Sequence, residues 1–303
     1  MNVLVVGGAG YVGGAVTDLL VETDHSFRVY DELLYEESYR KPVDFVYGDV
    51  RDHERLKPHL DWADAVVWLA ALVGDPACAL NPDISVSVNQ QSVKWLEGNF
   101  DGRIVFMSTC SVYGARTEIL DETSPTNPLS VYAVTKLKAE EYLSGTNAAI
   151  FRLGTLFGIG DIFSRIRIDL VVNTLTVRAH RLGRIEVYGG DQFRPLLHVV
   201  DAARAIVDNL ETKHVGIFNL HSENVRIIDL AFQMKNRFPN LIIDQIETEF
   251  QDTRNYRVSS HKAESELGFS PTRNVDQGVA EFKALLGSGR IKDINNPRYT
   301  NQT

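Results

Sequence analysis

A phenol and an amine four residues apart, in the run Tyr132-Ala133-Val134-Thr135-Lys136, are residues whose types and spacing could do chemistry in this 303-residue chain. On a helix, positions i and i+4 share one face. A phenol with an ordinary pKa near ~10 is a poor base at neutral pH, and a neighbouring positive charge favours its phenolate. An exposed Tyr–Lys pair on a helix surface satisfies the same spacing. Ser108-Thr109-Cys110-Ser111, directly after the apolar run Arg103–Met107, tips the reading towards chemistry. Hydroxyls at the C-terminal end of a strand in an open α/β sheet lie at the ligand crevice. A hydroxyl there can hydrogen-bond the substrate oxygen whose proton Tyr132 removes.

A second constellation lies at the start of the chain. Gly7-Gly8-Ala9-Gly10-Tyr11-Val12-Gly13 follows the first apolar run and opens an amphipathic stretch, with glycines 7, 10 and 13 spaced G-x-x-G-x-x-G. Such a turn lets backbone approach a pyrophosphate and packs helix on strand, demands that exclude a Cβ. A dinucleotide's pyrophosphate would sit on the open N–H groups of the helix N-terminus; a tight strand–helix turn without a ligand is the alternative. The second apolar run ends Val29-Tyr30-Asp31, which puts a carboxylate at the spacing expected for contact with ribose hydroxyls. Asp31 repels a 2′-phosphate, Glu32 adds to that charge, and no Arg or Lys follows before Arg40, so the expected coenzyme is NAD rather than NADP.

The elements that must position these groups read as follows. Apolar runs at 3–6, 27–30, 44–47, 65–69, 104–107 and 148–151 alternate with helical patterns at 11–23, 52–60, 80–98 and 130–143. Strands apolar on both sides belong to a parallel sheet covered on both faces. Repeated strand–helix alternation predicts a doubly wound α/β (Rossmann) sheet with right-handed crossovers. Residues 1–155 are expected to form this coenzyme domain. Residues 156–287 read as a smaller α+β substrate lobe interleaved with it, with helices at 164–182, 199–211, 226–237, 259–267 and 275–286 and strands at 185–188, 215–220 and 241–247. The polar stretch 288–303 reads as an irregular or frayed tail.

Composition narrows the function classes. Hydrophobic residues are 44% and charged residues 23%, as in an ordinary globular protein. A net charge of −9 argues against a protein that coats nucleic acid. Two cysteines, Cys78 and Cys110, build no disulfide framework, and no paired Cys/His cluster suggests a metal site. No signal-peptide pattern or membrane-length apolar run is seen, so a cytoplasmic protein without membrane contact is expected.

Taken together, these motifs resemble the extended short-chain dehydrogenase/reductases, specifically the NAD-dependent nucleotide-sugar epimerase/dehydratase group. The resemblance spans nearly the whole chain. Its marks are the Gly7/Gly10/Gly13 turn, Gly48-Asp49-Val50, Leu69-Ala70-Ala71, Ser108-Thr109 before Val112-Tyr113-Gly114, and Tyr132-x-x-x-Lys136. It implies that Gly7, Gly10, Tyr11, Val12, Gly13 and Asp31 hold the coenzyme, with Asp49 and Val50 against the adenine. Leu69, Ala70 and Ala71 would line its ribose and phosphate path, and Asn89 and Leu153 its nicotinamide half. Tyr132 would be the base, Lys136 would bind the nicotinamide ribose and lower the tyrosine pKa, and Thr109 would bridge to the reacting hydroxyl.

The second half carries the resemblance further. Gln192-Phe193-Arg194-Pro195 leads into His198-Val199-Val200-Asp201, and Asp252-Thr253-Arg254 follows later. Arg194 and Arg254 can fork around a diphosphate, with a surface salt bridge as the alternative for each. Asn173 is a further substrate candidate, against a plain helix-surface amide. His198 and Asp201 read as residues that order the following helix. Asp75 reads as a turn or capping residue on a substrate-side loop. Where the sugar 4,6-dehydratases carry Asp and Glu after the threonine, this chain has Cys110 and Ser111, a poor acid–base pair for eliminating water. Cys110 is either an acid for a deprotonation-type epimerisation or a small buried residue. The expected activity is an NAD-dependent nucleotide-sugar epimerase passing through a transient keto-sugar at carbon 4, acting on a nucleotide-diphosphate sugar. A dehydrogenase, keto-reductase or decarboxylase on the same scaffold, or a silent NAD-responsive binding protein, are the alternatives. The resemblance also implies a homodimer built on the helices at 80–98 and 130–143.

Overall fold

Val3 to Val6 are completely buried, as an apolar run covered on both faces must be. They form β1 (Asn2–Val6), the middle of the main sheet in a computed structural model that describes residues 1–163, 165–247 and 255–301. After it come α1 (Tyr11–Val21), β2 (Ser26–Asp31), β3 (Asp44–Tyr47), α2 (His53–Trp62), β4 (Ala65–Trp68), α3 (Asp75–Leu80), α4 (Pro82–Val86), α5 (Ser92–Glu97) and β5 (Arg103–Thr109). The chain continues through β6 (Ile119–Leu120), α6 (Val131–Leu143), β7 (Ala148–Leu153), β8 (Thr155–Phe157), α7 (Val171–Leu182), β9 (Arg184–Tyr188), β10 (Phe193–His198) and α8 (Val199–Asp208). It closes with β11 (Gly216–Leu220), β12 (Glu223–Arg226), α9 (Ile227–Gln233), β13 (Ile242–Ile246), β14 (Arg257–Val258), α10 (His261–Leu267) and α11 (Val275–Gly287).

Seven strands, all parallel, lie in the order β3-β2-β1-β4-β5-β7-β11. This is the predicted doubly wound sheet. One face is covered by α1 and α8, through Val16, Leu20, Ala203 and Ile206; the other by α2, α5 and α6, through Leu56, Leu60, Leu96 and Leu143. The smaller lobe holds the three-stranded sheet β8-β10-β12 and the pair β9-β13, packed with α7, α9 and α11.

Three expectations are corrected. The predicted helix over 80–98 is broken into α3, α4, a π-helical turn at Ser87–Gln91 and α5. Asn81 leaves helical geometry at φ −143°, and its side chain caps α4 by accepting the Ile84 N–H, while Pro82 starts the new helix without a donor of its own. The helix expected from 164 begins only at Val171, because the preceding backbone is committed elsewhere: the Ile168 N–H bonds the Tyr299 carbonyl. β11, assigned from sequence to the smaller lobe, pairs with β7 in the main sheet, and α8 packs on α1. The main-sheet core therefore draws on residues from both sides of residue 155, as the interleaving requires, whereas the smaller lobe's core lies wholly beyond it. Finally, the described part of the tail, 288–301, is irregular as read but held down: Ile291 packs against Phe282, Leu285 and Leu286, and Asn301 is buried.

The helix carrying the Tyr–Lys pair is fixed by a buried charge cluster. Ser130 caps α6, accepting the Ala133 N–H at 3.2 Å. One turn before the helix ends, Glu140 takes three bonds from Arg152 of β7, at 3.0 and 3.2 Å from Nε and 2.6 Å from Nη2, and a fourth from the Ser108 hydroxyl of β5. Both charged side chains are almost wholly buried. Removing one partner of such a pair leaves an uncompensated charge at a cost of about 3–5 kcal/mol, whereas replacing both by apolar groups need not. Glu140→Ala is expected to lower unfolding free energy by about that amount in urea titrations, and Glu140→Leu with Arg152→Leu to recover much of it.

Candidate active site

The glycine turn is dictated by close backbone approach. Gly7 adopts φ +82°, and a Cβ there would lie 2.4 Å from the Ala70 nitrogen; one on Gly13 would lie 2.4 Å from the Gly8 carbonyl oxygen. Gly10 is the N-cap of α1 and brings no side-chain acceptor, so the first N–H groups of the helix are left for another partner. The cleft beyond is lined by Gly7, Gly10, Tyr11, Val12 and Gly13, by Asp31, and by Leu69, Ala70 and Ala71. Asp31 accepts the Ala9 N–H at 3.0 Å and the Leu33 N–H at 2.8 Å, and burial pushes its carboxyl up. Each oxygen keeps a second acceptor site for a ribose hydroxyl. Tyr35, also lining the cleft, has a buried hydroxyl with no hydrogen-bond partner among the described residues. An open helix N-terminus, a ribose-directed carboxylate and an unpaired hydroxyl along one groove fit an NAD molecule.

The same cleft runs on to Thr109, Ser111, Tyr132, Lys136 and Leu153. Tyr132 reaches it from the first turn of α6, and Thr109 from the end of β5. Burial pushes the Tyr132 phenol above its ordinary value, reinforced by Cys78 and Asp75, whereas Arg167 and a hydrogen bond with Thr109 pull it down. Lys136 is buried, donates to the Met107 carbonyl at 2.7 Å and lies 4.7 Å over the Phe106 ring. Burial lowers its pKa to about 8. The sequence reading credited Lys136 with lowering the tyrosine pKa. The largest influences on Tyr132 are burial, Cys78, Asp75, Arg167 and Thr109, and Lys136 is not among them.

The sequence pattern of the NAD dependent epimerase/dehydratase family matches residues 3–220. The chain belongs to that family. It is 27% identical to a UDP-glucose 4-epimerase of Corynebacterium glutamicum, across 95% of this chain and 97% of that protein. It is 24% identical to UDP-glucuronic acid decarboxylase 1 of Danio rerio, across 92% of this chain and 71% of the other. The fold matches MoeE5, solved in complex with UDP-glucuronic acid and NAD, with TM-score 0.82 and 24% identity over 95% of this chain and all (100%) of that one.

Several residues that the sequence offered to this epimerase/dehydratase site stand elsewhere. The Cys110 side chain turns away from the cleft: it is fully buried, its thiol donates to the Arg152 carbonyl at 3.2 Å, and burial pushes its pKa up. Asn173 is also fully buried, accepting the Gly158 N–H at 3.1 Å and donating to the Arg167 carbonyl at 2.8 Å, so it orders two loops rather than touching the cleft. Arg194, on β10, is buried and donates to the Phe193 carbonyl at 2.8 Å; it does not line the cleft. Arg254 lies outside the described residues. Asp49 pairs with Arg51, while its neighbours Gly48 and Val50 line the cleft. Asn89 grips the wall from behind: its side chain accepts the Leu72 N–H at 2.8 Å and donates to the Leu72 carbonyl at 2.9 Å.

His198 caps the following helix, whereas Asp201, inside that helix, ties down the loop ahead of α11 instead. His198 accepts the Val200 N–H and meets Glu281 at 3.0 Å, and Asp201 holds the N–H groups of Thr272 and Arg273. Asp75 stands in the first turn of α3, accepts from the Ser130 hydroxyl at 2.6 Å, and lines the cleft. Sequence reasoning missed Tyr35, Arg165, Arg167, Tyr256 and Asn301, all of which line the cleft. The alternation Arg165-Ile166-Arg167 with two buried guanidiniums carries no motif, and nothing in a polar tail announces Asn301. Among the described residues, no group of three or more His, Cys, Asp or Glu could hold a metal ion, and no helix is long and apolar enough to cross a membrane.

The lysine pKa has a thermodynamic consequence. An unfolded lysine titrates near ~10.4, so between pH ~8 and ~10.4 the unfolded chain binds more protons and stability rises with pH; below pH ~8 the full penalty, about 3 kcal/mol, is present. Lys136→Met is therefore expected to melt no lower than the parent at pH 7 in the coenzyme-free state, by scanning calorimetry, while turnover falls at least about 100-fold.

Proposed function

We propose that this protein is a nucleotide-sugar 4-epimerase of the transient-oxidation type. The observation that carries the reading is the meeting of Tyr132 and Thr109 in the coenzyme cleft, with Cys110 turned into the core. The resemblance assigns the dehydratase acid and base to the positions now held by Cys110 and Ser111. Here one is a buried thiol, and the Ser111 hydroxyl lies 3.3 Å from the Tyr256 hydroxyl. A thiol held on a carbonyl away from the cleft exchanges no proton with a sugar, which disfavours elimination of water.

When bound, the nicotinamide supplies hydride acceptance and return, and its oxidised form adds positive charge beside the phenol. The chain's own residues do the rest. Thr109 would orient the sugar hydroxyl, and Tyr132 would take its proton at Oη and give it back from the same oxygen. Lys136, already dry and directed into the cleft wall, adds the cation that a phenolate needs. Residues 69–72, fixed on Asn89, keep water from that edge of the coenzyme.

For the partner surface we infer a homodimer through α3, α4 and α6, where Leu80, Ile84 and Val134 are exposed. Light scattering is expected to give twice the chain mass, and Val134→Glu to shift it towards one.

The function is tested with UDP-glucose and UDP-galactose and, in parallel, UDP-glucuronic acid. Interconversion of a 4-epimer pair is expected with no net absorbance change at 340 nm. Tyr132→Phe should cut turnover by about 100-fold or more while native mass spectrometry still shows bound NAD. Stoichiometric NADH release, or loss of CO2 from the glucuronic acid, would replace the epimerase reading with an oxidising or decarboxylating one.

A further inference from the structure

Residues 288–301, polar and without any motif, end against the coenzyme cleft. Three of the cleft's walls come from segments far apart in sequence: the loop after β2, with Leu33, Tyr35 and Glu36; the loop after β4, with Ala71 and Val73; and the strip from Arg165 to Leu170 ahead of α7. Residues 298–301 bond to all three. The Arg298 guanidinium pairs with Glu36. The Asn301 side chain donates to the Val73 carbonyl at 2.6 Å, and its backbone N–H donates to Asp169. Arg165 receives the segment from the third side: Nε donates to the Arg298 carbonyl at 3.1 Å, Nη2 to the Thr300 carbonyl at 2.5 Å and Nη1 to the Asn301 side-chain oxygen at 2.6 Å.

Arg165 is a buried guanidinium lying 3.4 Å over the Tyr35 ring. Among the described residues it donates to two carbonyls and an amide oxygen of this one segment. Burial lowers its pKa to about 10, so it remains charged at neutral pH. A charged donor set converging on carbonyls makes short, directional bonds that hold backbone in one place. The segment is also anchored before it reaches the cleft, where Ile291 sits in the cluster with Phe282 and Leu286.

We propose that residues 298–301 are a clamp on the coenzyme, with Arg165 as the positioning residue that seats it and Asn301 as the side chain it presents to the cleft. The walls cannot part to release a dinucleotide until the bonds to Glu36 and Val73 open. This protein therefore retains NAD between turnovers, and its coenzyme exchange is governed by the seating of this segment. The inference rests on NAD as occupant of the cleft, not on which reaction follows.

The test is the rate at which bound NAD exchanges. Protein loaded with NAD is freed of excess by gel filtration and chased with isotopically labelled NAD, and retained coenzyme is followed by native mass spectrometry. Arg298→Ala with Asn301→Ala is expected to release NAD at least tenfold faster than the parent, and Arg165→Ala likewise. Arg165→Lys, which keeps the charge but not the fork, should fall between. Both alanine variants leave the Ile291 anchor in place, and melting of the coenzyme-free proteins is measured alongside. Release at the parental rate, with or without a lowered melting temperature, overturns the clamp and leaves a purely structural segment. A parent that takes up no NAD overturns the coenzyme assignment itself, a result distinct from unchanged exchange in the variants.

Discussion

One side chain, Glu140, holds the chemistry in place. It collects Arg152 from one strand and Ser108 from the next, all three under the helix that carries Tyr132 and Lys136. A helix lying on a sheet through apolar contacts alone has several nearly equal registers. Four charge-assisted bonds in a dry environment select one. The phenol then falls over the end of β5, beside Thr109, rather than a turn further along. Arg152 also stacks over Tyr113 at 4.8 Å, which extends the same constraint to the turn following Thr109.

Electrostatics in the cleft run against the free protein. The phenol is pushed up and the lysine down, both by burial, so each resists the charge it must carry in the reaction. A site of this kind stores its activity as unfavourable desolvation that an incoming positive charge can relieve. That is why the lysine is read here as a stability burden as well as a functional group.

Much of this was legible in the sequence. Buried parallel strands announce themselves as unbroken apolar runs, and Gly7, Gly13, Asp31, Tyr132 and Thr109 carry signals because local geometry or chemistry restricts what can stand there. The signals fail where long-range contacts decide. Cys110 follows Thr109 in sequence, yet it opens the 3₁₀ turn Cys110–Tyr113, which carries its thiol into the core. Asn173 and Arg194 fit a substrate role by type, and their burial against loop and strand carbonyls becomes visible only once the chain is folded. The helix expected over 80–98 had a Pro inside it, a local signal that outweighs the amphipathic pattern around it. Arg165 and Asn301 were invisible for another reason: each derives its role from the other, 136 positions away.

The main sheet is finished by β11, a strand from late in the chain, and one face of its first helix is covered by α8. Ribosomal synthesis of the first half thus yields a layer with an open β7 rim and a bare apolar flank, the kind of surface that recruits other chains. The coenzyme lobe has no folding history separate from the residues of α8 and β11. A split-protein or domain-exchange design that cuts between coenzyme lobe and substrate lobe would produce sticky halves, and any useful cut must leave residues 199–220 attached to the amino-terminal portion.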